Sequence, residues 1–197
     1  MKEINVNGTI RTATGKKATR EIRKANAVPC NLYGEAKDEK GLPVALSFTA
    51  TNDELRNLIY SPDIYSVNLN IDGKTCKAIL KEIQFHPVKD TVMHVDFYEI
   101  TDTKPIVMEV PIKLTGLAAG VKAGGRLAAS VRKLKVKAVY TSIPERLEID
   151  VTNLGLGKTI KVGELHFDGL ELITSKEVVV CQVKMTRGAK AAATSDK

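Results

Sequence analysis

The chain has 197 residues, of which 43% are hydrophobic and 27% charged, as is ordinary for a folded water-soluble protein. Its net charge of +7 favours an acidic partner without identifying one. No stretch approaches the roughly 20 apolar residues that a membrane span needs, and the first residues lack the apolar run of a signal peptide, so we expect a cytoplasmic protein without a membrane partner. Cys30, Cys76 and Cys181 are far apart and form no CxxC pair, which indicates reduced thiols.

Alternating apolar and polar residues predict a series of short strands in the first half of the chain. They cover residues 1–10, 30–33, 44–48, 67–71, 75–84 and 92–100. Thr51 and Glu54 form a capping box that opens a helix over Asn52 to Tyr60. Asp72-Gly73 is a type I′ hairpin signal. Together these signals predict a mainly β domain with a few short helices.

A second helix is predicted within residues 15–34 and carries one basic face. Its basic residues fall at i, i+4, i+7 and i+8: Lys16, Arg20, Arg23 and Lys24. Ala18, Ile22 and Ala25 form an apolar face, and Asn26 and Pro29 end the helix. A cationic helix on a sheet suits a polyanion better than a small substrate. An ordinary solvated helix face is the alternative.

Residues 101–105 have the composition of a linker, and the chain beyond them is almost purely β in pattern. We therefore predict a domain over 1–100, a second all-β domain over 101–185 and a disordered tail over 186–197. Lys133, Lys135 and Lys137 alternate along one predicted strand and share a face. That face is a candidate contact surface, and a solvated surface is an equal alternative.

Two glycine-rich segments do not have the pattern of nucleotide-binding loops. Gly155 to Thr159 ends like a phosphate-binding loop, but Thr152 occupies the position of its first glycine and a strand pattern follows. Gly120 to Gly125 lies in no βαβ unit, so a turn that needs a positive φ explains it better.

A third cluster contains His86 and the segment His94-Val95-Asp96-Phe97. Two residues apart on a strand, His94 and Asp96 point to one face, and Val95 and Phe97 point to the core. Three interpretations remain open: a metal site with His86, a structural His–Asp pair, and a pair that faces a ligand. No serine or cysteine lies in a recognisable nucleophile context, so hydrolase chemistry has no positive support.

The order and spacing of these motifs resemble one family over nearly the whole chain. The first half carries Arg11, Gly15-Lys16, Thr19 to Arg23, Val28-Pro29, Leu32 to Gly34, Gln84 to Pro87 and His94 to Phe97. The second half carries Val110-Pro111, Gly116, Gly120 to Lys122, Gly124-Gly125, Leu127, Ile143 to Glu145 and Ile149 to Val151. Together they resemble the Ctc, or L-twenty-five, family of bacterial ribosomal proteins that bind 5S rRNA, in its long two-domain form.

The resemblance implies a non-enzymatic, cofactor-free constituent of the large ribosomal subunit, in contact with neighbouring rRNA and ribosomal proteins. Its N-terminal β-barrel would bind the loop E region of 5S rRNA. By resemblance the RNA-contacting positions are Arg11, Lys16, Arg20, Arg23, Tyr33, His94 and Asp96. The chain departs from the family pattern at Lys17, which adds a charge near the RNA, and at Glu21, which removes one. A nonspecific, stress-related RNA-binding protein and, more remotely, a metal-dependent enzyme are the alternatives.

Overall fold

The strands of the first half of the chain form a closed barrel. A computed structural model of the protein describes residues 1–34, 41 and 44–186, which fall in two compact units, Met1–Lys104 and Pro105–Lys197. The elements of the first unit are β1 Lys2–Ile10, α1 Lys16–Lys24, β2 Ala27–Tyr33, β3 Leu46–Thr51, α2 Asn52–Ile59, β4 Tyr65–Ile71, β5 Lys74–Phe85 and β6 Val92–Glu99. The strand order around the barrel is β1-β3-β2-β6-β5-β4.

The β1–β4 and β2–β6 pairs are parallel, and the other pairs are antiparallel. Residues that alternate along each strand fill the barrel, among them Val28, Cys30 and Phe97, each fully buried. The rings of Phe48 and Phe97 pack at a centroid distance of 5.7 Å. Gly8 makes room for Phe48, because a Cβ there would lie 2.6 Å from the Phe48 ring. The outer residues of the same strands are therefore free to build a surface site.

Both predicted helices are present, and Thr51 caps α2 as the predicted capping box requires, since its Oγ1 accepts the Glu54 backbone N–H at 3.4 Å. The Glu54 carboxylate accepts the Thr51 hydroxyl, also at 3.4 Å. Strand β2 begins earlier than predicted and includes Pro29. The helix ends sooner because Asn26 adopts a φ of 58° and turns the chain. Pro29 is accommodated because the registered pairing of β2 with β6 starts only at Cys30. Strand β3 begins at Leu46 rather than Val44.

The second unit contains two sheets. Its elements are β7 Ile106–Thr115, α3 Ala119–Lys122, β8 Arg126–Ala129, β9 Lys133–Ala138, β10 Leu147–Asp150, β11 Thr159–Lys161, β12 Glu171–Leu172 and β13 Val179–Lys184. Two short 3-10 helices cover Tyr140–Ser142 and Val162–Glu164. The sheet orders are β10-β7-β9-β12 and β11-β13-β8. The mainly β class predicted for both halves is confirmed. Apart from Thr186, the tail predicted to be disordered lies outside the described residues.

The glycine-rich segments have structural roles in the second unit. Gly157 N–H donates to Val183 O, and Val183 N–H donates to Lys158 O, both at 3.0 Å. With a Gly157 φ of 70°, this is the pattern of a G1 β-bulge at the entry of β11. A strand rather than a helix follows, as predicted. The segment Gly120 to Gly125 contains the end of the short helix α3 and the predicted turn, in which Gly124 has a positive φ of 86°.

Candidate nucleic-acid interface

Helix α1 presents four exposed cations to solvent. They are Lys16, Lys17, Arg20 and Lys24. Within the described part of the chain, none of the four side chains makes an ion pair or a hydrogen bond. Ala18, Thr19 and Ile22 are half-buried on the side that faces the barrel, so the helix is amphipathic. The predicted apolar face is correct at Ala18 and Ile22 and wrong at Ala25, which follows the last residue of α1 and is exposed. The result is an uncompensated positive surface.

The start of α1 reinforces this charge. Gly15, at the N-cap, adopts a φ of 94° and supplies no side-chain cap, and no acidic residue lies in the first turn. Lys16 and Lys17 lie there instead, where the helix dipole is already positive. Such a terminus is unfavourable for the isolated helix and favourable for a bound anion.

Arg23 connects this helix to strand β6. Its Nε and Nη2 atoms donate to the carbonyl oxygen of Met93 at 3.2 and 2.9 Å. Arg23 is half-buried at the border between the packed and the free side of α1. Because Met93 directly precedes His94, the contact places the cationic helix beside the polar residues of β6.

The outer face of β6 carries His94 and Asp96. His94 Nδ1 lies 3.4 Å from Asp96 Oδ1, and the side chains are 21% and 22% exposed. Val95 and Phe97 are fully buried, as the alternation predicted. The pair is therefore both mutually oriented and accessible to a ligand, and it offers nitrogen and carboxylate groups at one place.

A row of polar residues crosses the barrel surface at Asp96. Asn31 on β2 and Glu82 on β5 are its registered neighbours. Asn31 Oδ1 accepts the Ser47 hydroxyl at 3.0 Å, and the Arg11 backbone N–H donates to Ser47 O at 2.9 Å. Arg11 thereby lies at one end of the row, and its buried Nε has no acceptor in the described part of the chain. The row joins the predicted Arg11 and Asp96 across four neighbouring strands.

Tyr33 stands next to this row on β2, opposite Tyr98 of β6. The two rings meet edge to face, with centroids 5.9 Å apart and an interplanar angle of 74°. Burial, followed by the nearby charges of Asp96 and Glu82, raises the pKa of the Tyr33 phenol. Tyr33 therefore keeps its proton at neutral pH and remains a hydrogen-bond donor.

Sequence reasoning missed four members of this surface: Asn31, Ser47, Glu82 and Tyr98. The alternation around Cys30 places Asn31 on the outer face, but no local signal shows that β2 pairs with β6. The seven positions given by the resemblance, together with Lys17, make eight candidate residues, and all of them belong to the first structural unit. Arg11 follows β1 and is bonded to β3, which neighbours β2 and then β6, and Arg23 joins α1 to β6.

His86 has a local structural role. Its Nδ1 accepts the backbone N–H groups of Val88 and Lys89, each at 3.2 Å, in the turn between β5 and β6. Nδ1 is therefore occupied as the acceptor of this turn. No group of three potential metal-ligating side chains is found among the described residues. In the same part of the chain, no helix is long and apolar enough to cross a membrane.

Fold and surface together define a two-unit, mainly β protein whose N-terminal barrel carries a cationic helix. The Ribosomal L25p family matches residues 6–97, and the C-terminal domain of ribosomal protein TL5 matches residues 105–187. A protein named large ribosomal subunit protein bL25 from Phocaeicola vulgatus is 65% identical over the full length of both chains. Proteins of the same name from Bacteroides thetaiotaomicron and Porphyromonas gingivalis are 59% and 55% identical, over 98% of this chain and 97% and 98% of theirs.

The chain therefore belongs to the ribosomal L25p family, in the long form that adds a TL5-type C-terminal domain. The family resemblance inferred from the motifs is confirmed. This is a family of ribosomal proteins and not of enzymes, which agrees with the expectation drawn from the sequence.

Proposed function

We propose that this protein is a structural constituent of the large ribosomal subunit and binds 5S rRNA, at its loop E region, through the N-terminal barrel. The relatives carry the name of a large-subunit protein. The single observation that carries the RNA-binding part is the position of unpaired cations on α1 beside the partly exposed His94–Asp96 pair, held there by Arg23. Neighbouring rRNA and ribosomal proteins are then its further partners, and its location is the ribosome in the cytoplasm.

Affinity in this proposal comes from phosphate contacts. Lys16, Lys17 and Arg20 project from α1 without internal partners, and release of counterions from RNA would make their contribution strongly dependent on salt. Arg23 still has three N–H groups that do not bond Met93, so it can contact a phosphate while holding the helix. Arg11 contributes a guanidinium at the end of the polar row.

Sequence preference comes from the polar row itself. The Asp96 carboxylate accepts hydrogen bonds, which the amino groups on base edges donate. His94 adds a ring nitrogen that can also form a hydrogen bond to a base edge. Tyr33 can stack on a base or bond a ribose hydroxyl. Regular A-form RNA hides base edges in a deep, narrow groove, but an internal loop with non-Watson–Crick pairs widens that groove enough to admit a helix. Such a loop fits a surface that combines a cationic helix with base-reading side chains.

Binding of labelled 5S rRNA by the full chain, compared with a scrambled duplex of equal length over a salt series, tests the proposal. We expect a preference for 5S rRNA that persists as salt is raised, because base contacts depend less on counterions than phosphate contacts do. A preference that disappears with increasing salt would instead identify a nonspecific RNA-binding protein. The Glu21 departure is tested in the same assay, since Glu21→Arg should tighten binding of both RNAs through charge.

A further inference from the structure

Three lysines on the β10-β7-β9-β12 sheet of the second unit are each matched by an acid on a neighbouring strand. Lys113 Nζ lies 3.0 Å from Glu148 Oε1, Lys135 Nζ 3.9 Å from Glu109 Oε1, and Lys137 Nζ 3.0 Å from Glu171 Oε2. In each case the two residues are directly opposed in the strand register. Two of the three lysines on the predicted contact face, Lys135 and Lys137, are thus neutralised. That face is a weak candidate for a polyanion.

The other sheet of this unit, β11-β13-β8, contains a cross-strand pair of like charge. Arg126 at the start of β8 and Lys184 at the end of β13 are registered partners, and both are exposed. Residues directly opposed in an antiparallel pair have Cβ atoms about 5 Å apart and project from the same face. Neither side chain forms an ion pair with an acid in the described part of the chain. Like charges in this arrangement destabilise a sheet.

The chain brings a third cation to the same end of the β11-β13-β8 sheet. Lys122 is exposed and ends α3, and the turn after it is closed by Gly125 N–H donating to Gly120 O at 2.8 Å, directly before Arg126. Thr186, two residues after the end of β13, fixes this turn to the strand, because its Oγ1 donates to Gly124 O at 2.6 Å. The cations are therefore held on two ordered strand ends and a tight turn.

We propose that Arg126 and Lys184, with Lys122, form a second anion-binding surface that takes the phosphodiester backbone of RNA. The inference rests on the proposed ribosomal function, because it assigns the second unit its own rRNA contact. A bound phosphate replaces the repulsion between Arg126 and Lys184 with two charge-assisted contacts, and the forked guanidinium suits phosphate oxygens. The three cross-strand lysine–acid pairs of the neighbouring sheet show how this unit matches charge elsewhere, and a destabilising pair that ligand binding relieves is typical of a functional site.

The test compares two double variants of the full chain, each of which removes two positive charges. R126Q/K184Q removes the opposed cations, and K135Q/K137Q removes two ion-paired lysines as the matched control. Binding to a mixed-sequence RNA duplex is measured across a salt series. We expect R126Q/K184Q to flatten the salt slope by about 0.9 for each phosphate that is no longer neutralised, and the control to change it by less.

Thermal unfolding gives a second readout, since R126Q/K184Q should raise the midpoint by removing repulsion and K135Q/K137Q should lower it. An unchanged slope in R126Q/K184Q, or an equal flattening in both variants, would overturn the proposal. So would competition by poly-glutamate as effective as that by RNA, which would identify an acidic protein as the partner. Failure of the proposed function is seen separately, as loss of preference for 5S rRNA over the scrambled duplex in the unmodified chain.

Discussion

The guanidinium of Arg23 donates twice to the carbonyl oxygen of Met93 and so joins residues that are 70 positions apart in the chain. This one contact fixes α1 beside the strand that carries His94 and Asp96. The distance between the phosphate-binding and base-reading parts of the proposed interface is therefore set by the fold before any RNA arrives, which reduces the ordering that binding requires.

Replacing Arg23 should affect both stability and binding. Arg23→Lys keeps the charge but cannot reproduce the forked contact with Met93 O, so we expect the free energy of unfolding to fall by about 1–2 kcal/mol. Arg23→Ala should in addition weaken 5S rRNA binding by roughly 1–3 kcal/mol and flatten the salt slope by about one unit. Urea unfolding and filter binding measure the two effects. If Arg23→Lys matches the unmodified chain in both, the contact does not position the helix.

Replacing Arg20 should change binding alone. Arg20 is exposed and has no partner in the described part of the chain, so Arg20→Ala should leave the free energy of unfolding within about 0.5 kcal/mol. We expect 5S rRNA binding to weaken by roughly 1–3 kcal/mol, with the salt slope reduced by about one unit. Lys176→Ala, an exposed single-charge change in the second unit, is the matched control. Equal effects of the two variants would remove α1 from the interface.

The His94–Asp96 pair should control which RNA is preferred. His94→Ala and Asp96→Ala should each reduce the preference for 5S rRNA over a scrambled duplex by about 1–3 kcal/mol, with little change in the salt slope. Circular dichroism must show that each variant is folded, because both side chains are only about one-fifth exposed and their loss can also disturb β6. Folded variants with full preference would leave the pair a purely structural role.

The division of the chain predicts that the first unit is sufficient for recognition. All eight candidate residues precede the boundary between Lys104 and Pro105, where the two units separate. We expect a fragment of residues 1–104 to fold and to bind 5S rRNA within about tenfold, or ~1.4 kcal/mol, of the full chain. A fragment of residues 105–197 should fold and show no preference for 5S rRNA. A folded first fragment that fails to bind would mean that the site needs both units.

The buried thiol of Cys30 should make the free energy of unfolding depend on pH in the alkaline range. Burial raises the pKa of Cys30 to about 12, while an unfolded thiol titrates near 9.0. Between these two pH values the Cys30 thiol keeps its proton in the folded state and loses it in the unfolded state. The contribution of the protonated thiol to the free energy of unfolding is therefore complete below pH 9 and disappears between about pH 9 and 12. It amounts to at most about 1.4 kcal/mol per pH unit. Cys30→Ala should show a shallower loss of unfolding free energy from pH 9 to 10.5 than Cys76→Ala.

Local patterns predicted the barrel strands because each has one face in the core and one in solvent, as Val95 and Asp96 show. The sequence could not predict strand register, which depends on non-local pairing. The neighbours of Asp96, Asn31 and Glu82, were missed for that reason. The acceptor for Arg23 is a backbone carbonyl, which leaves no signature in side-chain identity. The short strand β8, Arg-Leu-Ala-Ala, has little β propensity, and it is held in place by pairing with β13, which no local pattern reveals.

The position of β6 between β2 and β5 also determines the order in which the protein matures during synthesis. The barrel cannot close until Val92–Glu99 has left the exit tunnel, yet α1 and its cations emerge some seventy residues earlier. A nascent chain thus displays charge before it has the strand that carries His94 and Asp96, and it can hold RNA only loosely until that strand inserts. Discrimination is the last property the first unit acquires, so a ribosome that stalls before β6 has left the exit tunnel carries a nascent chain that binds RNA without selectivity.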